Sequence, residues 1–283
     1  MRLNDRKLNT LILRLLRESA SEDGVHKLKY YAFDWDDNLM YMPTVIYLLD
    51  DKGNEIGMST KDFAKYRSKI GNEPLKYEGK NIVGYAEDKY RDFGTEGDSK
   101  FLIDSLIAPV GPAWSDFVEC INGGSIFSII TARGHNPETL KEACYDLILS
   151  GRDGLNMKSL VDSLRKYRDL FDMEDMEDIE LIWEYLGLCK FHPVTFGEGS
   201  AANPEHLKKI AFRDFLNYCR ELAKELHLRA IIKDKISNNF ILDFQLGVSD
   251  DDPKNVEMFD TEFGDEPGVK VYSTQSGNKR KVN

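Results

Sequence analysis

The chain has 283 residues, and its 38 Lys and Arg against 49 Asp and Glu leave a formal net charge of −11. Affinity for a polyanion comes mostly from phosphate neutralisation by Lys and Arg, so this balance excludes nucleic-acid binding except through a locally segregated basic patch. With 41% hydrophobic and 11% aromatic residues the chain can bury a substantial core, which excludes wholesale disorder and fits one large domain or a domain carrying an inserted module.

Residues 1–24 are expected to form an amphipathic helix and a linker, since Leu8, Leu11, Ile12, Leu15 and Leu16 recur at helical spacing among Arg and Lys before the SASEDG stretch. The helix is expected to pack on the body of the fold, or to act as a basic arm that touches a partner. Charges interrupt its apolar positions, so it does not read as a secretory leader, and no apolar run approaches the roughly 20 residues of a membrane span. Cys120, Cys144, Cys189 and Cys219 lack the close spacing of a redox or zinc motif and read as buried thiols. A cytoplasmic protein with no membrane partner is the expectation.

Next, LKYYAFDWDDNL is an apolar run of strand length that stops at a cluster of acids, the pattern of a buried strand entering a functional loop. PTVIYLLDDKGNEIGMST predicts a β-hairpin turning at Gly53, and Ser59 or Thr60 is placed to cap the KDFAKYRSKI helix. Residues 71–109 show no clear period and are expected to be irregular, so that about 40–109 forms one insertion. Pro112 opens a helix that closes at Gly123-Gly124, SIFSIITARG gives a second buried strand, and Asn136 caps the helix that follows. Residues 151–188 predict a charged helical insertion whose acids form a solvated face. KFHPVTF is a third strand, followed by a helix capped at Asn203. NFILDFQLGVS is a fourth, ending on Asp250-Asp251-Asp252, and VKVYST is a fifth. Strands alternating with helices predict an α/β fold over 25–283 with an open parallel sheet, whose ligand site lies at the carboxyl ends of its strands.

Three of these strands end in Asp34-Trp35-Asp36-Asp37-Asn38, Thr131-Ala132-Arg133-Gly134 and Ser249-Asp250-Asp251-Asp252. A parallel sheet brings such ends together, and so many carboxylates in one crevice cannot all stay ionised without a cation. A hard divalent ion with oxygen ligands is the simplest remedy, with Mg²⁺ the usual one beside phosphate. Lys208 is expected to add an ammonium, because it lies on the apolar side of its helix while Lys209 points about 100° away.

These strings carry a family resemblance. F-D-W-D-D-N-L resembles the first motif of the haloacid dehalogenase superfamily, a strand ending in D-x-D-x-[TVN], and I-I-T-A-R-G resembles the second, a strand ending in Thr or Ser. L-G-V-S-D-D-D-P resembles the acidic fourth motif, and Lys208 at the start of its helix fits the third. The resemblance runs in order from residue 28 to 273. It implies a Rossmann-like sheet flanked by helices, with a β-hairpin flap at Pro43–Thr60 and helical cap insertions. It also implies an Mg²⁺-dependent phosphatase in which Asp34 attacks phosphorus to give an aspartyl-phosphate. Asp36 would then be general acid and base in turn, its main-chain carbonyl also binding the metal. Thr131 and Lys208 would hold the phosphoryl oxygens. Arg133 would contact substrate or a neighbouring carboxylate, and Asn38 would contact substrate or shape the loop, while His135 reads as a surface residue. Aligning Pro253 with the G-D-x-P form of the fourth motif makes Asp251 a metal ligand. Asp250 would then orient Lys208 or a metal water, and Asp252 would cap the next helix. An acid at position 36 separates the chain from the dehalogenases, which lack it, and from the transport ATPases, which place Thr there.

The expected partner is a small phosphorylated substrate. Two alternatives stand beside it: a nucleotide or nucleic-acid-end phosphatase, favoured only by the basic N-terminal helix and the KRK tail, and a non-catalytic metal-binding interaction protein.

Overall fold

Alternation along residues 28–33 sends Leu28, Tyr30 and Ala32 into one hydrophobic core and Phe33, with Tyr31 packed beside it, into another. A strand whose two faces are both buried is the centre of a sheet covered on both sides. The computed structural model describes residues 25–170, 176–197, 203–232, 241–275 and 277–283, so the helix expected before residue 25 lies outside the described residues. In chain order the strands are β1 (Val25–Phe33), β2 (Val45–Asp50), β3 (Glu55–Ser59), β4 (Leu75–Tyr77), β5 (Lys80–Tyr85), β6 (Phe127–Thr131), β7 (Lys190–Pro193), β8 (Ile241–Asp250), β9 (Val269–Ser273) and β10 (Arg280–Lys281). The helices are α1 (Thr60–Tyr66), α2 (Asp98–Ile107), α3 (Trp114–Asn122), α4 (Pro137–Ser150), α5 (Met157–Leu170), α6 (Asp178–Leu188), α7 (Pro204–Ile232) and α8 (Pro253–Phe263).

The main sheet has the order β10-β9-β8-β1-β6-β7, parallel throughout except for β10, which pairs antiparallel with β9. From β1 the chain builds outward to β6 and β7, then crosses back to add β8 and β9 on the other side. The reversal opens a crevice at the carboxyl end of β1, the place where open α/β sheets bind ligands. Helices α3, α4, α5 and α6 fill the core on one face, and α7 and α8 fill the core on the other. The α/β fold with a parallel-dominated sheet flanked by helices is therefore as the sequence predicts, and the charged stretch after residue 151 folds as α5 and α6 against the first core.

The hairpin of β2 and β3 also forms, but residues 71–109 are not irregular. They contain β4, β5 and α2, and β5 pairs with β2 to make a second, four-stranded antiparallel sheet in the order β3-β2-β5-β4. Glu78 and Gly79 turn between β4 and β5 with φ of 47° and 78°, the two-residue turn whose twist suits a hairpin. Ile46, Leu48, Ile56, Met58 and Ile82 give this sheet its own small core. All four cysteines are buried and none is in a disulfide among the described residues. No helix among the described residues is long and apolar enough to cross a membrane.

Candidate active site

The strand ends converge. Asp34 follows β1, Thr131 ends β6 and Asp250 ends β8, and a hydrogen bond from the Asp34 amide to the Ser249 carbonyl (3.1 Å) ties the first and last of these together. Asn203 caps α7 by accepting from the His206 amide at 3.2 Å, and the first turns of that helix deliver Lys208 into the crevice. The buried Lys208 ammonium lies 3.0 Å from Asp34 Oδ1 and 2.8 Å from Asp250 Oδ2. Lys209 points outward to Glu262 at 2.7 Å. Asp250 is held further by donors from the Asn255 amide (3.0 and 3.2 Å) and the Asp252 backbone (2.9 Å). Asp252 caps α8, accepting from the Lys254 amide at 2.9 Å, as its place before Pro253 predicts.

Burial dominates the charge state of this cluster. It pushes the Asp34 carboxyl up to about 7; Lys208 pulls against that rise, and Asp250 and Asp36 add to it. Burial also drives Asp251 well above the ordinary carboxylate range, with Asp250 and Asp34 pushing the same way. Burial disfavours the Lys208 ammonium, yet Asp250 and Asp34 outweigh it and hold the lysine charged. Three carboxylates thus face one ammonium. Asp34, Asp250 and Asp251 each offer an oxygen, all within 4.8 Å of one another, and among the described residues Asp34 Oδ1 has no aligned hydrogen-bond donor. This buried all-oxygen donor set with surplus negative charge fits a hard divalent cation. The Asp36 side chain is not part of it.

Asp36 instead accepts a two-pronged grip from Arg133, at 2.7 Å from Nε and 2.6 Å from a terminal nitrogen. Arg133 is buried; it also donates to the Thr44 hydroxyl and meets His135 Nε2 at 3.0 Å, and His135 Nδ1 meets Asp98 at 2.7 Å. Of the two partners expected for Arg133, the neighbouring carboxylate is the one seen. His135 is no surface residue: it is fully buried and stacks on Phe101 at 4.5 Å. Asn38 is also buried and does not line the cavity beside the site. It donates to the Asp34 carbonyl (3.0 Å) and the Ser249 hydroxyl (3.1 Å) and accepts from Thr274 (2.9 Å), which ties down the loop that follows β1.

A cavity of about 710 Å³ opens over these groups, lined by Asp34, Asp36, Thr131, Arg133, Lys208 and Asp251. Residues that sequence reasoning passed over line it too. Asp37 adopts φ 54° and accepts from the Thr60 hydroxyl at 2.6 Å, while Ser59 is the residue that caps α1. Arg67, just past α1, reaches Glu205 and Asp252, both at 3.1 Å. The one signal for Asp37 was its place in the acidic run; Thr60 was marked only as an alternative cap to Ser59 and Arg67 not at all, because their partners lie on other elements. Compared with protein-family models, curated proteins and solved structures, the chain matches none.

Proposed function

We propose that the protein is a phosphatase that hydrolyses a phosphomonoester through an aspartyl-phosphate, with Mg²⁺ as its metal. The observation that carries this reading is the buried Lys208 bridging Asp34 and Asp250 at adjacent strand ends, with Asp251 completing a carboxylate cluster. Asp34, Asp250, Asp251 and the Asp36 main-chain carbonyl would hold the ion. When bound, it supplies neutralisation of the carboxylates and of the charge that develops on phosphoryl oxygens.

The chain's own residues supply the rest. The Asp34 carboxylate attacks phosphorus, forming the acyl-phosphate bond as the bond to the leaving oxygen breaks. Lys208 and the Thr131 hydroxyl donate to the phosphoryl oxygens and fix them for in-line displacement. Asp36 gives its proton to the leaving oxygen, then takes one from the water that attacks the phosphoaspartate, which releases phosphate and restores Asp34. Both Asp36 oxygens are engaged by Arg133, so this exchange requires the grip to loosen at one of them. The small sheet and α1 act as a flap that limits bulk water, since Ile46, Thr60, Phe63 and Arg67 line the same cavity.

Turnover of p-nitrophenyl phosphate tests the reading. Activity is expected with Mg²⁺, is lost in EDTA and returns on Mg²⁺ addition; Asp34→Asn drops it by several orders of magnitude with an unchanged circular dichroism spectrum. An Asp34→Asn protein that keeps wild-type turnover refutes the mechanism. One observation favours a second reading, a metal-binding scaffold without turnover: the Arg133 grip that occupies Asp36. Metal binding without hydrolysis of any phosphate ester would select it.

A further inference from the structure

A phosphate fills only a small part of a cavity of about 710 Å³, and the remaining lining has a definite chemistry. Phe63, Tyr90, Phe93 and Phe196 contribute rings to it. Tyr90 and Phe196, 44% and 42% exposed, are the two most exposed aromatic side chains described, and both face a concavity next to the carboxylate cluster. Apolar rings left uncovered in a cleft are the usual lining of a ligand site. Three of these rings hold one another: Phe63 meets Tyr90 edge to face at 6.1 Å, and Tyr90 meets Phe93 the same way at 6.3 Å. Ring faces held in this manner take up a flat group at little entropic cost. Polar groups are interspersed. Thr95 and Thr195 line the cavity, the Thr195 hydroxyl donating to the Ala132 carbonyl (3.0 Å) and keeping its acceptor capacity, and the Lys89 ammonium sits over the Tyr85 and Tyr90 rings (4.3 and 5.3 Å), with no carboxylate partner among the described residues. An aliphatic leaving group has no use for fixed ring faces, and a bare aryl group has none for the hydroxyl groups and the Lys89 ammonium.

We infer that this part of the cavity is a nucleoside subsite and that the substrate is a nucleoside monophosphate, its base on the aromatic rings and its phosphate on Asp34, Thr131 and Lys208. This rests on the phosphatase reading above. Base stacking on such rings is worth roughly tenfold in affinity for each one.

The Mg²⁺-loaded full chain is to be compared on adenosine 5′-monophosphate, phenyl phosphate and glycerol 3-phosphate. The expected kcat/KM falls in that order, by roughly tenfold or more from first to last. Phe196→Ala and Tyr90→Leu, on separate elements, are expected to raise KM for the nucleotide roughly tenfold more than for glycerol 3-phosphate. Equal kcat/KM for the three esters overturns the subsite, and so does phenyl phosphate outranking the nucleotide. Calorimetric titration with adenosine separates the two readings without turnover. Adenosine binding that weakens in Phe196→Ala, with no ester hydrolysed, keeps the subsite and removes the phosphatase. Hydrolysis of glycerol 3-phosphate without adenosine binding removes the subsite alone.

Discussion

Arg133 illustrates what a buried cation demands of its neighbours. Its guanidinium lies over the Phe93 and Phe101 rings (4.9 and 4.8 Å) and spends its donors on Asp36 and Thr44. Arg133→Met removes a buried partner and is expected to cost about 3 kcal/mol in urea denaturation. It should also lower kcat more for alkyl than for aryl phosphates, because only the poor leaving group needs a well-placed Asp36 proton. Arg133→Lys keeps the charge without the fork, so it should recover part of the stability and little of kcat. His135 gives a pH dependence. Burial first, then Arg133, holds its pKa below the ordinary histidine value, and Asp98 offsets this only in part. The unfolded chain takes up the proton at about 6.5 while the folded one still excludes it. This contribution is therefore whole above that pH and is lost as pH falls from there toward the folded value. Urea midpoints at pH 7.5 and 5.5 should differ more for wild type than for His135→Gln; an identical difference in the two proteins would contradict a neutral buried His135. In T-A-R-G-H the carboxylate contact of Arg133 was one of two expectations, but the burial of His135 was not legible, since its partner Asp98 sits in a stretch with no period of its own.

Among the elements, the hairpin of β2 and β3 divides its labour between its two ends. At the tip, Asp50 accepts from the amides of Lys52 (2.9 Å) and Asn54 (2.7 Å) and from the Asn54 side chain (3.0 Å), and Gly53 takes φ 81°. No residue of this tip lines the cavity; Ile46 and Thr60, at the root, do. Replacing residues 51–54 with a shorter turn should accordingly lower the melting temperature and leave KM in place. Thr60→Val, which removes the 2.6 Å bond to Asp37, should change KM with a smaller thermal effect; the opposite outcome would place the hairpin's contribution at its tip. The elements that the sequence displays well are those with strong local signals: β1, β6 and β8 as apolar runs, and α4 and α8 with their Asn136 and Asp252 caps before proline. The second sheet was only half visible. β4 has three residues, and β5 opens on the adjacent polar pair Lys80-Asn81 and buries only Ile82, so neither sets a period and their place is decided by the pairing of β5 with β2 and of β4 with β5.

For the whole molecule, the site exists only because a parallel sheet with a reversal gathers Asp34, Thr131, Lys208 and Asp251 from distant parts of the chain. That gathering was legible, because each residue stands at a strand end or in the first two turns of a helix; the shape of the cavity above it was not, because α1 and residues 89–95, which pack on the core of the second sheet, build much of its wall. Arg67 joins the two parts. From just past α1 it reaches Glu205 in the first turn of α7 and Asp252 at the cap of α8, with all three side chains partly solvated. Such contacts are weakened by mobile ions over a Debye length of about 8 Å at physiological ionic strength. Sodium chloride should therefore act on the passage of molecules in and out rather than on the buried chemistry: if release of product limits turnover, kcat rises with added salt, and Arg67→Gln reproduces that rise at low salt and abolishes its salt dependence. A stopped-flow record of phosphate release against ionic strength reads this directly, and the same curve for both proteins would leave Arg67 a passive surface contact. Where the two curves differ, the protein is tuned by its medium, with the background electrolyte setting how long each guest stays.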